Sequence, residues 1–236
     1  MEHSIQIMAQ RLADILPNSS IYLYGSVVMD DFRHGWSDID IVCFSDTTPP
    51  AELVDLRQHL TDEYAGNTYF RLFEGVIIST DKVVYWGTSG QRIIDTYTLD
   101  PFSVISLKTY GRLLHGPDIR EGIQYPSRDE IMQAVERHYK TIRAYGKKGA
   151  GWLLDTARCL YTISTNDIIA KTQAGEWALD QKLPPDTEAM KRALEIRKNP
   201  VDYKDDEETQ QWLSSLEPRI QEFADVLEKE LYSRGA

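Results

Sequence analysis

Two short motifs, each joined to an apolar run, constrain the fold of this chain more than any other part of it. The run Ile21–Tyr24 leads into Gly25-Ser26, and the pair Asp38 and Asp40 opens a second run that continues to Phe44. Residues two apart on a strand point to the same face. Because two carboxylates on one strand face repel each other, the pair predicts a cation between them. Carboxylate oxygens suit Mg²⁺, which takes the rest of its ligands from water and substrate phosphates.

Gly25 and Ser26 fit a phosphate site beside these carboxylates. A glycine at the end of a strand lets the backbone turn sharply and approach a phosphate closely. The serine offers a hydroxyl and an N–H to an anion. The alternative is an ordinary strand–turn–strand with a solvated acidic edge, which a lone Asp-x-Asp would favour because short motifs recur by chance. The two motifs together instead favour a site for nucleotide phosphates.

The composition is that of a globular protein. Of its 236 residues, 42% are hydrophobic and 27% are charged, as in ordinary globular domains. No apolar stretch reaches the ~20 residues that cross a bilayer, and the first residues lack the pattern of a secretory signal. Cys43 and Cys159 lie in apolar surroundings, which predicts buried free thiols rather than a disulfide. We therefore expect a cytoplasmic protein with no membrane partner.

The net charge of −11 limits the class of partner. Nucleic acids bind clustered Lys and Arg side chains, so we expect no nucleic-acid partner. An acidic surface is compatible with a small cationic substrate, although acidity can equally serve solubility alone. We expect a monomer, with a dimer as the alternative.

The pattern along the chain predicts an α+β fold with two domains. Residues 1–98 predict a catalytic domain with a mixed sheet and flanking helices, and residues 99–236 predict an all-α helical bundle. Strands are expected at 20–25, 38–44, 69–79 and 82–86, and helices at 5–16 and 47–63. In the second half, residues 99–103 are typical of a helix start with proline in the first turn, which leads into a helix at 104–114. Ser127 to Glu130 is typical of a capping box that opens a helix at 127–145. Further helices are expected at 152–165, 172–179, 187–198 and 206–234.

Three further charged residues stand out because they interrupt apolar segments. Glu74 lies within a predicted strand, where it is a third metal ligand, a general base or an edge-strand residue that faces water. Arg158 interrupts an apolar helix, and Lys171 follows that helix. A buried arginine needs a partner. That partner is either a triphosphate or Asp155, three residues earlier.

These residues resemble the motif set of the nucleotidyltransferase (DNA polymerase β-like) superfamily. Gly25-Ser26, then Asp38-x-Asp40, then a carboxylate on a later strand is similar to the minimal catalytic domain of that superfamily. The resemblance implies that Ser26 contacts the nucleotide phosphates, that Asp38 and Asp40 hold Mg²⁺, and that Glu74 is the catalytic base.

The second half resembles the helical domain of aminoglycoside 3''/9-adenylyltransferases. The resemblance rests on residues 153–179, with Arg158, Lys171 and Trp177, and on His115-Gly116-Pro117. It implies that Arg158 and Lys171 reach the triphosphate from the helical domain and that substrates lie in the cleft between the two halves. Where that family carries a tryptophan and acidic residues that hold the cationic drug, this chain has Tyr139 and Ala144-Tyr-Gly-Lys-Lys148.

The resulting hypothesis is an enzyme that uses Mg²⁺ to transfer AMP from ATP to a hydroxyl of a small polar acceptor. The resemblance implies an aminoglycoside-type antibiotic as the acceptor and antibiotic resistance as the role. Two alternatives stay open, namely adenylylation of a protein partner, as in small nucleotidyltransferase antitoxins, and a non-catalytic module that binds nucleotide. Because Lys147 and Lys148 replace the expected carboxylates, the sequence leaves the acceptor open.

Overall fold

The computed structural model describes residues 1–87 and 90–233. The chain forms two compact units. The first comprises Met1–Asp30 and Ser37–Tyr125, and the second comprises Asp31–Trp36 and the chain from Pro126 onward. The predicted domain boundary at 98/99 differs from the division between these units, because residues 99–125 pack and pair with the sheet of the first unit.

The first unit is a mixed sheet with flanking helices. Within the described residues, its six strands stand in the order β5-β4-β3-β2-β1-β6. β2 and β3 run parallel, and the other neighbours run antiparallel. The strands are β1 (Ser20–Tyr24), β2 (Ile39–Phe44), β3 (Phe73–Ile78), β4 (Val83–Gly87), β5 (Gly90–Ile94) and β6 (Arg112–His115). The helices are α1 (Glu2–Ile15), α2 (Leu56–Glu63) and α3 (Pro101–Tyr110).

The middle of this sheet is covered on both faces, since all five residues of β1 are buried. On the face next to α3, the strands contribute valines and tyrosines to a core that includes Leu107 of the helix. Asp100 caps α3 by accepting a hydrogen bond from the Phe102 N–H at 2.9 Å. Pro101 at the first helical position supports the same start, as the sequence predicted.

Four parts of the predicted pattern in this unit differ from the structure. The helix expected at 47–63 is a 3-10 helix at Ala51–Val54 followed by α2, which begins only at Leu56. The helix expected at 104–114 ends at Tyr110, because Gly111 turns to an extended conformation with φ −54° and ψ 137°. The residues that follow form β6, which pairs with β1. The strand expected at 69–79 begins only at Phe73, after a short 3-10 helix at Thr68–Leu72. Strand β5 was not predicted from the sequence.

The second unit is helical, as expected. In the described chain its helices are α4 (Arg128–Tyr145), α5 (Gly151–Thr165), α6 (Lys171–Asp180), α7 (Thr187–Lys198), α8 (Pro200–Tyr203), α9 (Glu207–Ser214) and α10 (Glu217–Ser233). Ser127 and Glu130 form the predicted capping box of α4. The helix expected at 206–234 is divided into α9 and α10, and its last residue, Arg234, lies outside the described residues.

Together, the sheet unit and the helical unit confirm the α+β class. Both cysteines are buried free thiols, as the sequence predicted. Among residues 1–87 and 90–233, no helix is long and apolar enough to span a membrane.

Candidate active site

The turn after β1 brings the backbone of Gly25 against the side chain of Asp40. Gly25 has a φ of +73°, which favours glycine because a side chain is strained in this region. A Cβ added to Gly25 would overlap Oδ2 of Asp40. The Gly25 N–H donates to Oγ of Ser106 on α3 at 2.9 Å. The glycine of the sequence motif is therefore required by two features, the backbone conformation and the carboxylate beside it.

Asp40 and Glu74 occupy matching positions on neighbouring strands. Asp40 is the register partner of Glu74 across the parallel β2–β3 pair and of Tyr24 across the antiparallel β1–β2 pair. Register partners point to the same face of a sheet. Both acidic residues are partly exposed, although the residues beside them in each strand are buried. Pairing of the strands thus brings together two carboxylates that are far apart in sequence.

Asp38 and Ser26 are joined by the backbone of Asp38. Asp38 precedes the first residue of β2 and is exposed. Its carbonyl oxygen accepts a hydrogen bond of 3.4 Å from the Ser26 hydroxyl. The Gly25-Ser26 turn therefore contacts both acidic positions of the Asp-x-Asp motif, one through a side chain and one through the backbone.

Two tyrosines share the electrostatic environment of these carboxylates. Burial raises the pKa of Tyr24 well above its usual value, and the negative charges of Asp40 and Glu74 raise it further. Burial also raises the pKa of Tyr97, and nearby negative charges, those of Asp40 and Glu74 among them, act in the same direction. Tyr97 packs against the ring of Tyr85, with 6.1 Å between the ring centroids. Both phenols remain protonated near neutral pH and can donate hydrogen bonds.

Sequence reasoning did not identify Tyr24, Tyr97 or Ser106 as part of this site. Tyr24 belongs to an apolar run that predicts only a strand, and Tyr97 lies in a connection without a recognisable motif. Ser106 is buried on α3. Its position under Gly25 depends on how the helix packs on the sheet, which spacing along the chain does not encode.

The donor chemistry of this site fits a magnesium ion. Asp40 and Glu74 bring two carboxylates to one position of the sheet, and oxygen-only ligation with open positions for phosphate suits Mg²⁺. The side chains are not arranged as a complete cage, since the described residues contain no group of three or more His, Cys, Asp or Glu that could hold a metal ion. An incomplete set of protein ligands is usual for Mg²⁺, because this ion takes several of its ligands from water and phosphate.

The two cations predicted in the second unit meet on Asp155. Arg158 Nη2 donates to Oδ1 of Asp155 at 2.9 Å, and Lys171 Nζ donates to Oδ2 at 3.0 Å. Burial would raise the pKa of the Asp155 carboxyl, but the positive charges of Lys171 and Arg158 outweigh it and lower this pKa to about 2. Of the two partners that the sequence suggested for Arg158, a triphosphate and Asp155, the structure shows Asp155. One carboxylate between two cations leaves this group with a net positive charge.

Family models match both parts of the chain. The model described as a nucleotidyltransferase domain matches residues 5–74. The model described as the C-terminal domain of aminoglycoside adenylyltransferase matches residues 126–230. The first range includes the Gly25-Ser26 and Asp-x-Asp motifs and ends at Glu74, and the second includes Arg158 and Lys171.

A solved structure has the same fold over nearly the whole chain. It is the crystal structure of the spectinomycin adenyltransferase AAD(9) from Enterococcus faecialis with ATP and spectinomycin. At 17% sequence identity and a TM-score of 0.61, the match covers 96% of this chain and 99% of that chain. No curated protein matches the chain. From its two domains and their order, this chain is a nucleotidyltransferase, an enzyme that resembles the aminoglycoside adenylyltransferases.

Proposed function

We propose that this enzyme transfers AMP from ATP to a hydroxyl of a small polar acceptor of the aminoglycoside type, and that it requires Mg²⁺. The observation that carries the proposal is the pairing of Asp40 with Glu74 across β2 and β3, beside the turn at Gly25. This arrangement offers a metal-binding carboxylate and a proton acceptor side by side. The relative that was crystallised with ATP and spectinomycin supports the choice of donor and acceptor class.

The metal would be held by Asp38, Asp40 and Glu74, and Glu74 would also serve as the base. When bound, Mg²⁺ neutralises negative charge on the α-phosphate and on the departing pyrophosphate. Because Gly25 has no side chain, its backbone lies against Asp40, and the Ser26 hydroxyl and N–H are then available to contact a phosphate bound by the metal.

Glu74 activates the acceptor. Its carboxylate takes the proton of the acceptor hydroxyl, and the oxygen forms a bond to the α-phosphorus of ATP. The bond from the α-phosphorus to the oxygen that bridges to the β-phosphate breaks, and pyrophosphate leaves with the electron pair. The products are the adenylylated acceptor, pyrophosphate and a proton on Glu74, which passes to water.

Arg158 and Lys171 contact the triphosphate. The net positive charge of their group with Asp155 attracts phosphate oxygens. Asp155 holds the two side chains ready in the absence of nucleotide, so less conformational freedom is lost when ATP binds. The net charge of −11 favours a cationic acceptor, as aminoglycosides are.

The test is transfer of label from ATP to an acceptor panel. The purified chain is incubated with Mg²⁺, ATP labelled at the α-phosphate, and spectinomycin, streptomycin or other aminoglycosides, and product and pyrophosphate are measured. We expect Asp40→Asn to abolish turnover and Glu74→Gln to lower kcat by about 10²–10⁴-fold. Expression of the active chain in a sensitive bacterium should raise its tolerance to the same acceptor.

The matched control is Asp46→Asn. Asp46 is an exposed carboxylate just beyond the opposite end of β2, so its loss changes charge without touching the site. It should keep wild-type turnover. Full activity of Asp40→Asn would overturn the assignment of the site, and label on a protein band from a cell lysate, with none on the panel, would overturn the acceptor class.

A further inference from the structure

A buried ion pair in the second unit involves a residue from between the two motifs of the candidate site. Asp31 is 3% exposed and Arg197 of α7 is 4% exposed. Arg197 donates to Oδ2 of Asp31 from Nη2 at 2.7 Å and from Nε at 3.3 Å. A buried charge persists only when it is paired and hydrogen-bonded. The pair therefore holds Asp31 in one place.

The same carboxylate also caps the start of α6. The Thr172 N–H donates to Oδ2 of Asp31 at 3.2 Å, and the Thr172 hydroxyl donates to Oδ1. The N-cap residue of α6, Ala170, has no side-chain acceptor of its own. A carboxylate at a helix N-terminus satisfies backbone N–H groups and complements the helix dipole. Asp31 thus takes the place of an N-cap from 141 positions away in sequence.

Asp31 lies near the middle of the segment that joins the two motifs. We call residues 26–38 the Ser26–Asp38 segment. It contains positive φ angles at Asp30 (+55°) and Gly35 (+83°), and it is not part of the sheet. A connection of this kind has many alternative conformations unless contacts restrict it. Its residues from Asp31 to Trp36 belong to the helical unit.

We propose that Asp31 is a positioning residue, which fixes both the Ser26–Asp38 segment and the first turn of α6, where Lys171 lies. This inference rests on the proposed function, in which Ser26, Asp38 and Lys171 contact the nucleotide. A misplacement of about 1 Å in such groups lowers turnover by about 10²-fold. Asp31 contacts no substrate in this scheme and acts through the residues it holds.

The test compares Asp31→Asn with Asp186→Asn. Asp186 makes the same kinds of contact in the same unit, because it accepts from the Ala189 N–H at the start of α7 and from Arg219 Nε. It holds no part of the Ser26–Asp38 segment. Each variant is assayed below its melting transition for backbone hydrogen exchange and for kcat and KM with MgATP.

We expect amide exchange in the Ser26–Asp38 segment to rise at least about tenfold in Asp31→Asn and to stay at the wild-type rate in Asp186→Asn. The value of kcat/KM for MgATP should fall about tenfold or more in Asp31→Asn and stay within about twofold in Asp186→Asn. Wild-type exchange in this segment in folded Asp31→Asn, or equal losses of kcat/KM in both variants, would overturn the proposal.

If Asp31→Asn does not fold, hydrogen exchange is measured on Thr172→Val instead. This substitution removes the bond that the Thr172 hydroxyl donates to Asp31 and the bond that this hydroxyl accepts from Arg197 Nε, and it keeps the ion pair and the backbone N–H. We therefore expect amide exchange in the Ser26–Asp38 segment to rise, but less than in Asp31→Asn. Unchanged exchange in that variant contradicts the proposal. A wild-type protein that transfers no AMP would overturn the proposed function. Because hydrogen exchange requires no turnover, the exchange measurement would still decide whether Asp31 fixes the Ser26–Asp38 segment.

Discussion

Gly25 combines a backbone conformation that favours glycine with a close approach to a candidate metal ligand, Asp40. We predict that Gly25→Ala displaces Asp40, since the added Cβ would overlap its Oδ2 atom. A side chain at φ +73° also costs about 1–2 kcal/mol of stability. Adenylyl transfer should fall about 10²-fold because the carboxylate is misplaced. Turnover and the melting temperature are measured together.

The control for this change is Gly149→Ala. Gly149 also has a positive φ, of +92°, but nothing lies within 4 Å of its added Cβ. It should lose similar stability and keep its activity. An equal loss of activity in the two variants would mean that instability, and not the position of Asp40, causes the effect.

At the residue scale, the sequence predicted the groups with distinctive chemistry and missed those placed by packing. The Gly-Ser and Asp-x-Asp motifs indicated a phosphate site because glycine, serine and paired carboxylates are an unusual combination beside strands. For Glu74 the sequence left three roles open, and the parallel register places it beside Asp40. Its role as the base remains a prediction. Ser106 and Tyr97 carry no local signal, since contacts over long sequence separations define their surroundings.

At the scale of helices, Asp155 links α5 to the start of α6 through Arg158 and Lys171. Its folded pKa of about 2 lies below the usual 3.8. The interaction therefore contributes stability above about pH 4 and loses it as the pH falls towards 2. The shift corresponds to about 2 kcal/mol. We predict that the stability advantage of the wild type over Asp155→Asn shrinks by this amount between pH 6 and pH 2, measured by urea unfolding.

The exposed Asp180, at the end of α6, provides the comparison for this experiment. Asp180→Asn removes a carboxylate from the same unit without disturbing the two cations, so it controls for the loss of one negative charge. A constant difference between the wild type and Asp155→Asn over the whole range would show that Asp155 is not stabilised by its neighbours.

Prediction of the elements succeeded where local signals were strong. The capping box at Ser127 and the proline at the start of α3 both have short-range physical causes, and both helices begin where expected. For the residues after Gly111, the local signal predicted the wrong element. Their apolar character fits a continued helix, but pairing with β1 makes them a strand. Long-range pairing of this kind overrides local propensity and cannot be read from a single sequence.

At the scale of the whole molecule, the second unit is discontinuous in sequence. Its continuous part begins at Pro126, yet Asp31–Trp36 also belongs to it. The sequence predicted two successive domains and gave no sign of this insertion, because Asp31 resembles any other acidic loop residue. Arg197 likewise has no partner nearby in the chain that would reveal its burial.

This discontinuity makes the effect of Arg197→Met depend on which part of the chain is present. In the full chain, the substitution removes the closer of two cations from the buried Asp31. Because Arg33 remains 3.6 Å from Oδ1 of Asp31, we expect a loss of up to about 3–5 kcal/mol. A fragment of residues 126–236 lacks Asp31 and leaves Arg197 without its carboxylate. There the substitution should cost nothing or should stabilise, since methionine needs no partner. Urea unfolding of the four proteins measures both differences.

Arg219→Met separates this effect from a general weakness of the fragment. Arg219 pairs with Asp186, and both residues are present in the fragment. Its loss should therefore cost the same in the full chain and in the fragment, and no more than about 1 kcal/mol because the pair is partly exposed. If Arg197→Met also cost the same in both, the ion pair with Asp31 would contribute nothing to the helical unit, and the short stretch from Asp31 to Trp36 would not be needed for its stability.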